Sequence, residues 1–248
     1  MNKLALVLVA AAAIGQDARQ IIEESQKRHR SNSQQYEGVL QVFNPNGKNS
    51  EKRWQFYRSG NYGESKALLR FVNPPEVKGV ALLIVNHPDR ASDQWMWLPE
   101  LQRDRRVALQ DRSTRFFGTD FSYEDLEERD VNQSDFKMLG EETVDGQACW
   151  KIESTPKKGK SSQYSKVVSW MRKDIYYPVR YEMYAKEQMV RKLFYRRIEK
   201  VNGVWSALEM EMHDLRRKGR TVLKTEKLQY NVPLAETMFT LQALRRGE

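Results

Sequence analysis

The 248-residue chain is poor in the residues that usually announce chemistry: it has one cysteine, Cys149, and three histidines, His29, His87 and His213. A lone cysteine excludes an intrachain disulfide, so packing alone must hold the fold. The histidines are widely separated and have no zinc-ligand spacing to one another or to Cys149. No G-x-S-x-G elbow, P-loop or dinucleotide fingerprint occurs. Cys149, between Ala148 and Trp150, reads as a small buried hydrophobe rather than a nucleophile. The run "EDLEERD" reads as a solvated helix face, and an enzyme is therefore not expected. No cofactor and no metal are expected either.

Long hydrophobic runs are scarce as well. The apolar stretch from Leu4 to Ala13 follows Lys3 and precedes the small-residue exit Ala13-Ile14-Gly15. It is far shorter than the ~20 residues that span a bilayer. This is the pattern of a secretory signal over residues 1–15, with cleavage before Gln16, although a buried N-terminal segment would look similar. The formal charge of +9 less the one cation Lys3 leaves +8, an excess that suits anionic partners. Export favours lipid over nucleic acid among these, and the aromatics alternate as if buried rather than exposed for base stacking.

What the chain does have is strand-like sequence. After "DARQIIEESQKRHR", where Asp17 would cap a helix with Ala18, Ile21, Ile22, Ser25 and His29 on one face, the pattern changes. His29 reads there as a surface or lid residue. From Tyr36 onward, about ten or eleven β-rich runs are separated by turn clusters, including the hairpin dipeptides Asp145-Gly146 and Asn202-Gly203. Hairpin connections predict an antiparallel meander in one domain spanning 16–248. "GVALLIV" and "QWMWL" are apolar on both faces, so both faces of the sheet should be covered there. In "VWSALEMEMH", by contrast, Val204, Leu208, Met210 and Met212 alternate with polar residues. A short helix is expected at "FSYEDLEE", capped by Ser122, and "STPKKGKSSQYS" is expected as a mobile basic loop or a headgroup contact.

Large side chains share faces within strands: Trp54 with Phe56, Leu69 with Phe71, Trp95 with Trp97, and Val168 with Trp170. Stacked across strands they would form one aromatic surface, either an ordinary core or the wall of a greasy cavity with Phe116 and Phe117 near its lid. Arg103, Arg105 and Arg106, interleaved with Asp104, would sit on the rim and meet a headgroup.

The runs "FVNPPEVKGVALLIV", "QWMWLPELQRDRRV", "FFGTDFSYEDL", "VDGQACWKIEST" and "VVSWMRKDIYYPVRYEMY", in this order, resemble the outer-membrane lipoprotein-sorting proteins of the LolA/LolB-like superfamily. The resemblance implies a mainly β fold, an unclosed antiparallel β-barrel of about eleven strands with a helical lid. It implies a periplasmic carrier that holds acyl chains of lipids or lipoproteins for transport toward the outer membrane, with no catalysis and no cofactor. The implied ligand contacts are apolar in type: Trp54, Phe56, Leu69, Phe71, Trp95, Trp97, Phe116, Phe117 and Trp170. A monomer is expected, touching membrane surfaces peripherally and meeting an inner-membrane transporter. The rival readings are a non-enzymatic envelope module that docks to a transporter or assembly complex, and a lipid hydrolase built around Cys149 or His213.

Overall fold

The computed structural model describes residues 17–246 except Asp89 and Arg129, so the expected signal at 1–15 and its cleavage before Gln16 lie outside the described residues. Asp17 caps the first helix, α1 (Ala18–Arg28), by accepting from the Arg19 N–H. Thirteen strands follow: β1 (Ser33–Phe43), β2 (Asn49–Asn61), β3 (Glu64–Asn73), β4 (Ala81–Val85), β5 (Asp93–Leu98), β6 (Arg103–Arg106), β7 (Ser134–Val144), β8 (Gln147–Pro156), β9 (Lys166–Arg172), β10 (Tyr177–Ala185), β11 (Gln188–Val201), β12 (Val204–Asp214) and β13 (Gly219–Tyr230). A short helix, α2 (Leu241–Arg246), comes last. The strand count is thirteen rather than about eleven, and the outermost strand, β6, is a piece of only four residues.

All thirteen strands join one antiparallel sheet in the order β6-β5-β4-β3-β2-β1-β13-β12-β11-β10-β9-β8-β7. The first strand thus pairs with the last at the centre, and the sheet has two wings, β1 to β6 and β7 to β13. Asp145-Gly146 and Asn202-Gly203 turn β7 into β8 and β11 into β12, with positive φ at both residues of each pair, as a two-residue hairpin turn requires.

Residues 107–133 run from one edge of the sheet to the other and form a strap. Its Glu127 accepts from Gln94 on β5 and its Asp125 from Arg191 on β11, at 2.7 and 2.8 Å. In a flat sheet those strands, second and ninth in the order, would lie roughly 34 Å apart at ~4.8 Å per neighbour. Two strap residues so close in sequence can reach both only if the sheet curls strongly, and its end strands β6 and β7 remain unpaired with each other. The result is an unclosed barrel with the strap inside its mouth.

Both faces of β3 to β5 are covered, as their continuous apolar sequence requires. Leu69, Phe71, Leu82 and Ile84 point inward, whereas Leu68, Ala81 and Leu83 point outward onto Phe239 and Leu244 of the C-terminal segment. Arg70 fastens that segment by donating to the carbonyls of Ala243 and Leu244. On the other wing, α1 lays Ala18 and Ile21 against Ile152 and Met171.

Candidate functional site

The strap is held by buried arginines. Arg58 of β2 pairs with Glu128 at 3.3 Å, Arg112 with Glu127 at 2.7 Å, and Arg191 of β11 with Asp125 at 2.8 Å. Tyr164 also donates to Asp125, and the Asp120 N–H donates to the Thr221 hydroxyl in β13. The acidic run expected to be a solvated helix face is therefore half-buried, with Asp125, Glu127 and Glu128 paired to arginines. Instead of a helix, one 3-10 turn forms at Glu124–Leu126, with Ser122 and Asp125 bonded reciprocally across its start. Burial raises the pKa of Asp120 above its ordinary value, against the pull of the Thr221 hydroxyl and Arg115.

The loop expected to be mobile docks on this strap. β8 extends to Pro156, and beyond it Ser162 and the Gln163 N–H donate to Glu124 while Tyr164 is almost fully buried. Between the loop and the strap lies an open cleft of ≈ 630 Å³, whose walls include Arg90, Arg106, Arg112, Lys160, Ser92 and Ser161. Asp93 is the carboxylate in it. Hydrogen bonds from Arg90, and then from Arg106 and His87, hold its carboxyl far below the usual range.

On the inner face, the wing β1 to β6 is filled by its own side chains. Phe116 of the strap inserts there, stacked on Phe71 with ring centroids 5.5 Å apart and 6.1 Å from Trp54. Phe117 and Tyr123 meet Phe116 edge-on at 5.1 and 5.4 Å. Phe56 packs beside them, stacked on Tyr36. Trp54 lies over Gly38, where a Cβ would fall 1.9 Å from its indole nitrogen, so only glycine lets the ring lie down.

The other wing leaves a hollow of ≈ 340 Å³. Its roof is α1, through Ile22, Ser25 and His29, and its floor is Val167, Met183 and Leu193 of β9, β10 and β11. Tyr177, Tyr181 and Tyr195 line its wall together with Asp125, Glu127, Glu128 and Asp130 of the strap. That volume falls at the small end of ligand-pocket sizes.

The structure brings together only part of the expected apolar set. Trp54, Phe56, Leu69, Phe71, Phe116 and Phe117 do gather on the inner face. Trp95, Trp97 and Trp170 do not, and this corrects the expected continuous aromatic surface. Trp97 pairs with Ala81 and Trp95 with Leu83, which puts both tryptophans on the outer face under the C-terminal segment. Trp170 packs outward with Cys149, gives its N–H to Glu142, and is capped by Arg180 at 4.1 Å. Alternation within a strand fixes which residues share a face but not which face is inner, and where both are apolar the pattern is silent. Of the rim arginines, Arg106 lines the cleft, Arg105 pairs with Asp111 at 3.3 Å, and Arg103 is exposed at the start of β6.

His29 was missed as a site residue, although its place on the apolar face of α1 was legible. It is buried, 7% exposed, and burial pushes its pKa down against the Ser25 and Ile175 carbonyls. Cys149 lies on the outer face, its thiol pKa pushed up by burial. Among the described residues, no cluster of three His, Cys, Asp or Glu is placed to hold a metal ion.

A hollow between a curled, unclosed antiparallel sheet, a roof helix and an inner strap defines a half-barrel fold with room for a small apolar ligand. Known proteins extend that reading. A crystal structure of a DUF1329 family protein from Desulfovibrio piger is 30% identical, with a TM-score of 0.88 over 92% of this chain and 97% of that one. A putative outer membrane lipoprotein-sorting protein domain from Vibrio parahaemolyticus is 27% identical, with a TM-score of 0.88 over 92% and 98%. A LolA superfamily protein from Nitrosomonas europaea shares the fold at 19% identity, with a TM-score of 0.73 over 91% and 98%. A family model described as "Uncharacterized protein" matches residues 63–246, and no curated protein matches. The chain belongs to the DUF1329 family, and it shares its fold with the LolA superfamily protein.

Proposed function

We propose that this protein is a periplasmic, non-enzymatic carrier that shelters one acyl chain of a lipid or lipoprotein in the hollow beneath α1. The observation that carries the reading is that hollow of ≈ 340 Å³, open in the resting fold. It has room for roughly ten groups the size of a water at ~30 Å³ each, which suits a single chain rather than several. Ten methylenes would contribute roughly 8 kcal/mol before the costs of binding, enough for useful affinity without any headgroup contact. The cationic cleft beside the strap, with Arg90, Arg106 and Lys160, suits an anionic headgroup or membrane surface. We place residues 16–248 in one working unit, a monomer exported by the signal at 1–15.

The test is native mass spectrometry of the purified protein, together with titration of an apolar fluorescent probe. A co-purifying lipid and saturable uptake are expected; finding neither overturns the carrier reading. One observation favours the rival docking module: the inner face of β1 to β6 is packed with the chain's own rings. If that rival holds, blocking the hollow with a bulky side chain leaves partner binding intact in the envelope.

A further inference from the structure

The hollow beneath α1 has charge of one sign in its lining. Asp125, Glu127, Glu128 and Asp130 of the strap border it, and among the described residues no lysine or arginine does. Its one histidine, His29, has its pKa lowered by burial and adds no positive charge at pH 7. Three of the carboxylates are matched by Arg191, Arg112 and Arg58, none of which lines the hollow. Asp130 differs from them. It is 9% exposed, its Oδ1 accepts from the Asn132 N–H at 2.6 Å, and it forms no ion pair among the described residues. A buried carboxylate without a cation is costly to keep, so its place in the lining calls for a positive partner.

Two further features of the same lining say what kind of partner fits. Tyr195 meets Tyr181 and Tyr177 edge to face, at 5.5 and 6.1 Å, and stands at 89° to both rings. Aromatic walls set at angles to one another build the cages that receive quaternary ammonium groups, which are drawn to the negative ring faces. In the roof, the Ser25 hydroxyl sits on a residue 8% exposed and makes no hydrogen bond among the described residues, so its oxygen is a further acceptor. In a hollow of ≈ 340 Å³ rings, carboxylate and hydroxyl act on one small group. Resting on the carrier reading above, we propose that the hollow selects amphiphiles with a cationic nitrogen beside the chain, a protonated amine or a quaternary ammonium. The tyrosine wall and Asp130 hold the nitrogen, and the chain lies over Val167, Met183 and Leu193. A fatty carboxylate is the wrong cargo, because it brings a fifth negative charge to this lining.

A matched ligand set tests this on the whole purified protein: decyltrimethylammonium, 1-decanol and decanoate, each displacing an apolar fluorescent probe at concentrations below micelle formation. The chain's formal charge of +9 draws anions, so a preference for the ammonium has to arise locally. Decyltrimethylammonium should displace the probe at a concentration about tenfold lower than decanol, the scale of a desolvated contact between a cation and aromatic rings. Decanoate should be the weakest. Tyr195→Leu and Asp130→Asn should each reduce the ammonium preference by about threefold or more, whereas Tyr195→Phe, which keeps the ring, should retain it. Equal displacement by ammonium and alcohol in the unmodified protein, or stronger displacement by decanoate, overturns the proposal and leaves the carrier reading standing. A preference that survives undiminished in both Tyr195→Leu and Asp130→Asn overturns it equally. If neither the ligands nor the probe bind at all, the carrier reading falls and this inference with it.

Discussion

The two wings of one sheet treat their inner faces in opposite ways. Over β1 to β6 the strap sets Phe116 against both Trp54 and Phe71, which also touch each other, and packs the inner face with rings. Over β7 to β11 the same strap presents carboxylates and stands away from the floor of Val167, Met183 and Leu193. The difference lies in what the strap carries at each point along its length: rings at 116–117, charges from 124 to 130. Apolar rings must be buried and therefore fill; carboxylates must be paired and therefore hold at a distance. A hollow can persist beside a well-packed core because ionic links from the sheet at Arg58 and Arg191 set the strap's height.

The contrast can be broken most forcefully in the filled wing. Phe116→Ala should cost about 3–5 kcal/mol in urea unfolding, the range for a buried aromatic removed from a tight core. A loss below about 1 kcal/mol would mean that the filled wing is not filled. Removing the strap's tie to the hollow wing comes close behind. Arg191→Met leaves Asp125 buried without its guanidinium and should cost about 3–5 kcal/mol, part of which returns when Asp125→Asn is added. A smaller effect sharpens the comparison. Enlarging a side chain in a tight core costs about 1–3 kcal/mol, as expected for Leu82→Phe in the filled wing. The same enlargement at Leu193 should cost less than about 1 kcal/mol while abolishing uptake of an apolar probe. Equal costs at the two positions would erase the distinction between the wings.

The smallest expected effect is electrostatic. The raised pKa of Asp120 means that the folded protein holds this proton more tightly than the unfolded chain does, whose value is near the ordinary 3.8. The associated stability is complete below about pH 4 and is lost as pH rises through the higher folded value. Asp120→Asn should therefore be more stable than the parent at pH 7 and show a flatter stability profile above pH 4. Urea titrations across that range measure it, and a steeper profile would contradict the assignment.

Much of this architecture was legible. The meander follows from Asp145-Gly146 and Asn202-Gly203, the leading helix from the Asp17 cap, and the double coverage of β4 and β5 from their unbroken apolar sequence. What the sequence hides is the third dimension of the pattern. Trp95, Trp97 and Trp170 obey their alternation and still face outward, because nothing in one strand says which side its neighbour calls inside. "EDLEERD" reads as solvated because its partners, Arg58 and Arg191, lie far away in sequence. The burial of His29, with its Nδ1 on the Ser25 carbonyl one helical turn back, is likewise a matter of packing that no residue count discloses.

The pairing of β1 with β13 has a consequence for how the molecule comes into being. The inner edge of β1 waits through the synthesis of nearly the whole chain for Gln34 to meet Tyr230 and Phe43 to meet Arg220. Until then the first wing carries an open, hydrogen-bonding border, the kind that recruits stray strands and seeds aggregates. Joining the ends near Ser33 and Asn231, already 3.0 Å apart through their backbone, and opening the chain in the strap would make every sheet neighbour a sequence neighbour. Such a rewired chain should reach its native form faster, since closing short loops is the quicker search.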